Sequence, residues 1–436
     1  MSQKSSHYTI AVLGNWHLSF CTGACLASLG HRVLFVNHDA ASAWKEFPVP
    51  PVREPGLPEM IADARAKGLL DFANGFGSDW TADAVWMAID TPVNERDEAD
   101  TSPLLEAAEA LKANRNTTGP LIVSSQIPMG FSAELQRRTG LQVAYVPENL
   151  RLGKGIETFL TADRTVVGSD LPETGEAVHR LLSGFKTEFF FCDLVTSEMV
   201  KHATNAFLAT SISFANELAR IGEQMGVDNM KVAQALKLDK RIGKAAYVAP
   251  GLGFAGGTLP RDLRVLQKFG ETLHVPTPLV NSVLQVNEST ASALEQVLSQ
   301  AVAKSSGKGR VLILGYTYKA ETDTLRRSSS LELAAALTAK GMEVQGYDPD
   351  MNSKDLTPLR GVIRHRAYWR DIDGPLDVCV VMTPRPAFAD LDWKSLTGKP
   401  LVFDTRAIVP AEKVLGAGLS YKALWQPVRV RARGGQ

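Results

Sequence analysis

The chain lacks most of the features that would place it outside the ordinary soluble class. Neither charge sign dominates: Lys plus Arg and Asp plus Glu number 47 each in 436 residues, so no overall field draws the chain to nucleic acid or to an anionic membrane. No apolar run reaches the roughly 18 residues a membrane span needs, and the opening Met-Ser-Gln-Lys-Ser-Ser-His is polar where a secretion signal would be apolar. The expected location is the cytoplasm. Only four cysteines occur, Cys21, Cys25, Cys192 and Cys379, with no Cys-x-x-Cys pair. They sit in apolar periodic segments, which predicts buried free thiols rather than disulfides or metal ligands. Short-period repeats and low-complexity tracts are also missing.

With 44% hydrophobic and 22% charged residues, the chain can fill two or three packed cores. The first half alternates short apolar runs with helical patterns: TIAVLG, HRVLFVN, AVWMAIDTP, PLIVSSQIP and LQVAYVPEN, extended by RTVVGS and KTEFFFC. Near-continuous Val, Ile, Ala and Leu runs separated by helices predict a parallel sheet covered on both faces. From Leu194 the spacing changes to three and four, with no Gly or Pro before Gly222, which predicts one long helix ending near Gly222 and Gly226. Further helices are expected at MKVAQALKL, DLRVLQKFGE and the segment from Pro278 to Lys304. After Lys-Ser-Ser-Gly-Lys-Gly at 304–309, RVLILGYTY, MEVQGYDP, DVCVVMTP and LVFDTR mark a second parallel sheet. The expected fold is α/β, with two Rossmann-like parallel-sheet domains at 1–193 and 304–436 joined by a central helical region, 194–303, that contains the long helix.

The stretch Ile10-Ala-Val-Leu-Gly14 followed by a helix and HRVLFVN reads as a dinucleotide-binding turn, yet only one of its three expected glycines is present. Gly14 remains, while Trp16 and Ser19 occupy the other two places. On the long helix, Lys201 and Asn205 are four apart and share a face.

Taken in order, IAVLG with HRVLFVN, AIDTPVN, SSQIPMG, VPENLRLGKGIETFL, EMVKHATNAFLATSISFANEL, RIGKAAYVAPGLGFAGGTLPRDL, GYTYKAETDTLRRSS and FDTR resemble the UDP-glucose/GDP-mannose dehydrogenase family. The resemblance covers nearly the whole chain. It implies NAD bound in the N-terminal domain, a nucleotide-sugar substrate, two successive oxidations of the sugar C6 alcohol, a homodimer formed through the central helix, and a role in polysaccharide biosynthesis. Gly14, Asn37, Thr91, Pro92, Ser125 and Arg326 match cofactor-binding positions. Arg241, Tyr247, Phe254, Gly256, Lys319 and Arg406 match substrate-binding positions, and Lys201, Asn205, Asp262, Glu148 and Thr258 match the catalytic ones.

Several matched positions depart from the family pattern. Asn37 replaces the acidic residue that meets the ribose hydroxyls, removing the charge that repels a 2′-phosphate. Thr258 replaces the cysteine whose thiolate captures the aldehyde, and Arg261 replaces a lysine in the same loop. A threonine hydroxyl without a base is a poor nucleophile. Gln126 and Leu152 stand where the family has a threonine and a second acid, and Val248 and Ala249 stand in place of polar residues that meet the base. Full oxidation to a uronic acid is therefore not expected. Three functions fit this set: an NAD-linked oxidoreductase of a nucleotide sugar that stops short of the acid, a catalytically silent homologue that binds a sugar nucleotide or a partner subunit, and a non-oxidative epimerase- or lyase-like enzyme.

Overall fold

In the computed structural model, residues 7–39, 43–77, 79–94, 99–148, 150–255, 257–304, 309–318, 320, 324–351 and 355–426 are described. They form two compact units, the first ending at Thr204 and the second beginning at Asn205.

The first unit is an α/β layer structure. Its strands are β1 (Thr9–Leu13), β2 (Arg32–Asn37), β3 (Leu70–Asn74), β4 (Ala84–Met87), β5 (Leu121–Val123), β6 (Val143–Tyr145), β7 (Arg164–Gly168) and β8 (Glu188–Cys192). Helices α1 (His17–Ser28), α2 (Leu57–Ala66), α3 (Ser102–Asn114), α4 (Phe131–Thr139), α5 (Gly155–Leu160) and α6 (Pro172–Leu182) connect them. The sheet order is β3-β2-β1-β4-β5-β6-β7-β8. Residues Ile10, Val12, Phe20, Phe35 and Trp86 pack on one face, and Leu13, Met87, Leu104, Leu111 and Leu135 on the other. Burial on both sides explains why these strands are almost uninterrupted apolar runs.

The expected all-parallel sheet needs one correction: β6 and β7 run antiparallel, paired at Tyr145 and Gly168. Among the described residues between them the one helix, α5, has six residues and spans about 9 Å. That is too short to return the chain along the sheet as a crossover helix does.

The second unit begins inside α7 (Leu194–Gln224) and continues with α8 (Asn229–Leu238), α9 (Leu259–Thr272) and α10 (Pro278–Lys304). Gly222 lies within the last turn of α7, where the Asn229 amide oxygen would be 2.2 Å from an added Cβ. The helix ends two residues later, before Gly226 at φ +72°. The second sheet comprises β9 (Arg310–Leu314), β10 (Glu343–Tyr347), β11 (Arg364–Arg366), β12 (Val378–Val381), β13 (Leu401–Asp404) and β14 (Ser420–Ala423), with α11 (Ser329–Ala339) and α12 (Ala411–Gly416) among its connections. All its pairings are parallel, in the order β11-β10-β9-β12-β13-β14.

Strands β3, β11 and β14 are edges or short polar segments absent from the sequence expectation. β11 is Arg-His-Arg, and charges on an edge discourage pairing with another chain. The expectation of four buried thiols also needs correction. Cys21, Cys25 and Cys379 are buried and free, but Cys192 is only half-buried because it ends the edge strand β8, beside the exposed Phe190 and Phe191.

Both sheets depend on a glycine directly after their first strand. At Gly14, φ is +137° and an added Cβ would lie 2.4 Å from the Ala88 carbonyl oxygen. At Gly315, φ is +74° and the corresponding approach is 2.3 Å from the Thr383 carbonyl oxygen. Gly68, at φ +68°, has nothing within 4 Å of an added Cβ. Gly68→Ala should therefore cost only the backbone term, about 1–2 kcal/mol. Gly14→Ala adds a collision with backbone and should cost about 3 kcal/mol or more. Urea unfolding of the two variants measures the difference, and equal midpoints would contradict the packing argument.

Candidate functional site

Within the first unit, the strand order places a topological switch point between β1 and β4, whose carboxyl ends open the crevice used for ligands in this class of sheet. Gly14 lies at the exit of β1 and Thr91 beyond the exit of β4. Ser19 is fully buried in the first turn of α1, with its Cβ 3.1 Å from the position of an added Gly14 Cβ. Its hydroxyl donates to the Trp16 carbonyl oxygen at 2.7 Å. A residue larger than serine would meet the β1 exit, so the third turn position keeps its requirement for a small side chain. Trp16 is half-buried at φ −116° and ψ 174°, an extended conformation that any residue adopts. The backbone does not require glycine there, and the substitution changes the volume at the turn rather than its course.

Asn37 ends β2, is buried, and accepts a hydrogen bond from the Asp39 amide at 3.0 Å. Thr91 donates through Oγ1 to the Gln126 carbonyl oxygen at 2.9 Å, and Ser125 donates through Oγ to the Ile89 carbonyl oxygen at 2.7 Å. These reciprocal bonds lace the loops after β4 and β5 together. Pro92 is exposed at the same rim, and its carbonyl oxygen accepts from the Asp100 amide at 2.8 Å.

Glu148 and Lys201 meet in the first unit, although not as an ion pair. The buried Lys201 ammonium donates to the Glu148 backbone carbonyl oxygen, while the Glu148 carboxylate accepts from the Leu150 amide at 2.6 Å. Sequence reasoning missed Glu198, less than one turn before Lys201. Its buried carboxylate accepts from the amides of Gly130 at 2.5 Å and Ser132 at 2.8 Å, satisfying donors at the start of α4. Burial pushes this carboxyl up, against the pull of those amides.

In the second unit, Asn205 and Asp262 are brought together. The Asn205 amide donates directly to the Asp262 carboxylate, and both residues are buried. Asp262 lies in the first turn of α9, where a carboxylate also favours the helix dipole. Thr258 caps that helix by position alone: it is exposed, and its hydroxyl makes no capping bond. Phe254 is buried, and its backbone amide and carbonyl are both engaged by the Asn287 side chain, at 2.8 and 2.9 Å.

The other matched residues described in the second unit are Arg241, Tyr247 and Arg406 on the substrate side and Arg326 on the cofactor side. Arg241 is exposed, and its guanidinium forks onto Asp239 at 2.7 and 3.0 Å. Tyr247 is partly exposed, Arg326 is exposed, and Arg406 is exposed with its Nε donating to the Met382 carbonyl oxygen at 3.2 Å. Gly256 and Lys319 lie outside the described residues. A further group missed from sequence sits at the carboxyl ends of β9, β10 and β12. Arg385 is buried there with Asp348 at 3.1 Å, Asp350 at 2.7 Å and the Thr317 hydroxyl at 2.9 Å. These partners are far apart in the chain, so only the strand order reveals the cluster. Among the described residues, no helix is long and apolar enough to cross a membrane.

Comparison with known proteins matches this layout along the chain. Residues 8–186 match the NAD binding domain of the UDP-glucose/GDP-mannose dehydrogenase family, 195–289 its central domain, and 312–411 its UDP binding domain. UDP-glucose 6-dehydrogenase of Rhizobium meliloti (strain 1021) is 31% identical over 437 residues, covering 96% of this chain and 99% of that protein. UDP-glucose 6-dehydrogenase TuaD of Bacillus subtilis (strain 168) is 28% identical over 435 residues, covering 96% and 93%. The structure of a UDP-glucose dehydrogenase from the hyperthermophilic archaeon Pyrobaculum islandicum aligns with TM-score 0.84 and 27% identity, over 98% of this chain and 100% of that one. Matching domains in the same order and near-complete coverage of these relatives place the chain in the UDP-glucose/GDP-mannose dehydrogenase family.

Proposed function

We propose that this protein is an NAD-linked oxidoreductase of a nucleotide-activated sugar that performs one alcohol oxidation and does not proceed through a thioester to the uronic acid. The observation that supports it most is the combination of a retained buried Asn205–Asp262 couple with an exposed Thr258, whose hydroxyl makes no capping bond, at the cysteine position. NAD would accept the hydride leaving the alcohol carbon. Gly14, Ser19, Thr91, Pro92 and Ser125 suit a dinucleotide, because the close packing at the Gly14 turn survives the change to Ser19. Asn37 can still hydrogen-bond a ribose hydroxyl, although its neutral amide does not discriminate against a 2′-phosphate.

The chain's own groups supply the proton chemistry. Asp262, oriented by the Asn205 amide, takes the hydroxyl proton as the carbon–oxygen double bond forms. In the first unit the Lys201 ammonium, whose position is set by the Glu148 carbonyl, is the other group suited to stabilising developing negative charge. A second oxidation needs an addition to the aldehyde, and a threonine hydroxyl, with a far higher pKa than a thiol, supplies it poorly. Three of the four thiols offer no replacement: burial pushes Cys25 up to about 12 and holds Cys21 and Cys379 higher still, so all three remain protonated.

The alternative of a silent homologue draws on the combination of Trp16, Asn37, Leu152 and Thr258. One experiment separates it from catalysis. Purified protein is incubated with NAD+ and a panel of nucleotide sugars including UDP-glucose, and NADH is counted against product identified by NMR. One NADH per sugar is expected, with Lys201→Ala lowering the rate by about 10²-fold or more and Thr258→Cys moving the yield toward two. Two NADH per sugar from the unaltered protein would overturn the single-step reading. Absence of both turnover and nicotinamide binding would favour the silent homologue, and turnover without NADH would favour an epimerase or lyase.

The same reading includes a homodimer through α7. Phe207, Phe214, Leu218 and Ile221 are exposed along one side of this helix, from 38% to 72%, with the spacing of a helix–helix seam. Phe207→Glu combined with Phe214→Glu should convert a dimer to monomer in sedimentation analysis. A monomeric unaltered protein would remove the dimer from the proposal.

A further inference from the structure

His17, Cys21 and Glu54 converge in the first unit and take no part in the reaction proposed above. His17 opens α1 and Cys21 follows one turn later, so their side chains leave the same face. Glu54 belongs to the turn before α2. All three are buried, at 6%, 0% and 2% exposure. The His17 Nε2 lies 2.6 Å from Glu54 Oε2 and 3.4 Å from Cys21 Sγ, and the three donor atoms fall within 4.8 Å of one another.

Two details distinguish this arrangement from a simple buried ion pair. First, one imidazole nitrogen faces both a carboxylate and a thiol. It can donate to the carboxylate or accept from the thiol, but it has one site for both purposes. A cation would use the lone pairs of all three groups. Second, Gly155 closes over the cluster without a side chain. An added Cβ there would lie 3.1 Å from His17 Cε1, 3.2 Å from Cys21 Sγ and 3.4 Å from Glu54 Cδ, tighter than ordinary carbon contacts, so the bare backbone packs directly against all three side chains.

We propose that His17, Cys21 and Glu54 form a binding site for a divalent transition-metal cation of the zinc type. One carboxylate and one thiolate balance the charge of such an ion, and the mixed nitrogen, sulfur and oxygen donors suit a borderline-soft metal. Tetrahedral bonds of about 2.0–2.1 Å to nitrogen and oxygen and 2.3 Å to sulfur require an N···S separation of about 3.5 Å, close to that present. The N···O separation must open to about 3.4 Å, replacing a hydrogen bond by two metal bonds. The carboxylate is already oriented by outer partners: Glu54 accepts from the Gly153 amide at 2.8 Å and the Gly155 amide at 2.7 Å.

Binding must displace the Cys21 proton to solvent and move the His17 proton to Nδ1, releasing one proton per ion. A thiol with the ordinary cysteine pKa is protonated at neutral pH, so coordination must release that proton. The bound ion would tie the start of α1 to the Gly153–Gly155 turn.

The full-length protein produced in cobalt-supplemented medium tests the site. About one cobalt per chain is expected, with a thiolate-to-cobalt charge-transfer band that added Zn2+ abolishes. Cys21→Ser should remove the band and weaken binding tenfold or more, whereas Cys25→Ser, one turn further along α1, should retain both. Zinc titration of unaltered protein should release about one proton per ion, a measurement that requires no variant. Folded protein that neither binds cobalt nor releases protons would overturn the site, as would a band that survives Cys21→Ser.

Discussion

The close approach of backbone at the first-strand exit is the constraint on which the molecule depends. In a parallel sheet ordered 3-2-1-4, the chain must leave strand one and turn into a helix while strand four passes alongside. At Gly14 and again at Gly315 the turn runs so close to the neighbouring strand exit that a methyl group would touch carbonyl oxygen. The crevice formed where the strand order reverses opens at the same point. Both units repeat this device on closely similar strand ends, Val-Leu-Gly-Asn and Ile-Leu-Gly-Tyr. Local sterics and the location of ligand chemistry therefore have one origin.

Most of the architecture was legible because buried parallel strands have a simple signature. Continuous runs such as Ile10-Ala-Val-Leu and Val378-Cys-Val-Val are buried along their whole length and announce themselves. The strands that escaped notice, such as Leu-Asp-Phe-Ala-Asn and Arg-His-Arg, are edges whose polar residues face outward. The reversed direction of β7 was hidden for a different reason: periodicity reports which face is buried, not which way a strand runs. Site residues divide similarly. Asn205 and Asp262 were accessible through family resemblance, and the structure joins them by a hydrogen bond across 57 residues of sequence. Arg385 with Asp348, and Glu54 with Gly153 and Gly155, had no local signal because long-range pairing creates their meaning.

The departures from the family pattern follow a physical order. Positions where geometry admits no alternative are kept or replaced by small residues: Gly14 persists, and the third turn glycine becomes Ser19 rather than a larger residue. Trp16 occupies a turn position whose extended backbone tolerates any residue. At these positions the residue types therefore differ only where volume or chemistry changes and the chain need not move.

That distinction bears on the chemistry of the reacting carbon. Asn205 and Asp262 are buried and paired in the second unit, and Lys201 is buried against the Glu148 carbonyl in the first; removing a partner from a buried carboxylate or ammonium leaves an uncompensated charge. Thr258 is exposed at the beginning of α9 and has no capping bond. Exchange of a thiol for a hydroxyl there carries little structural penalty, so the nucleophile can be lost while the proton-handling frame is retained. Removing the thiol takes away covalent capture of an aldehyde but leaves the means to deprotonate an alcohol and stabilise its oxygen. The single oxidation proposed for this protein rests on that difference: the exposed residue can change alone, whereas the buried ones cannot lose a partner without cost.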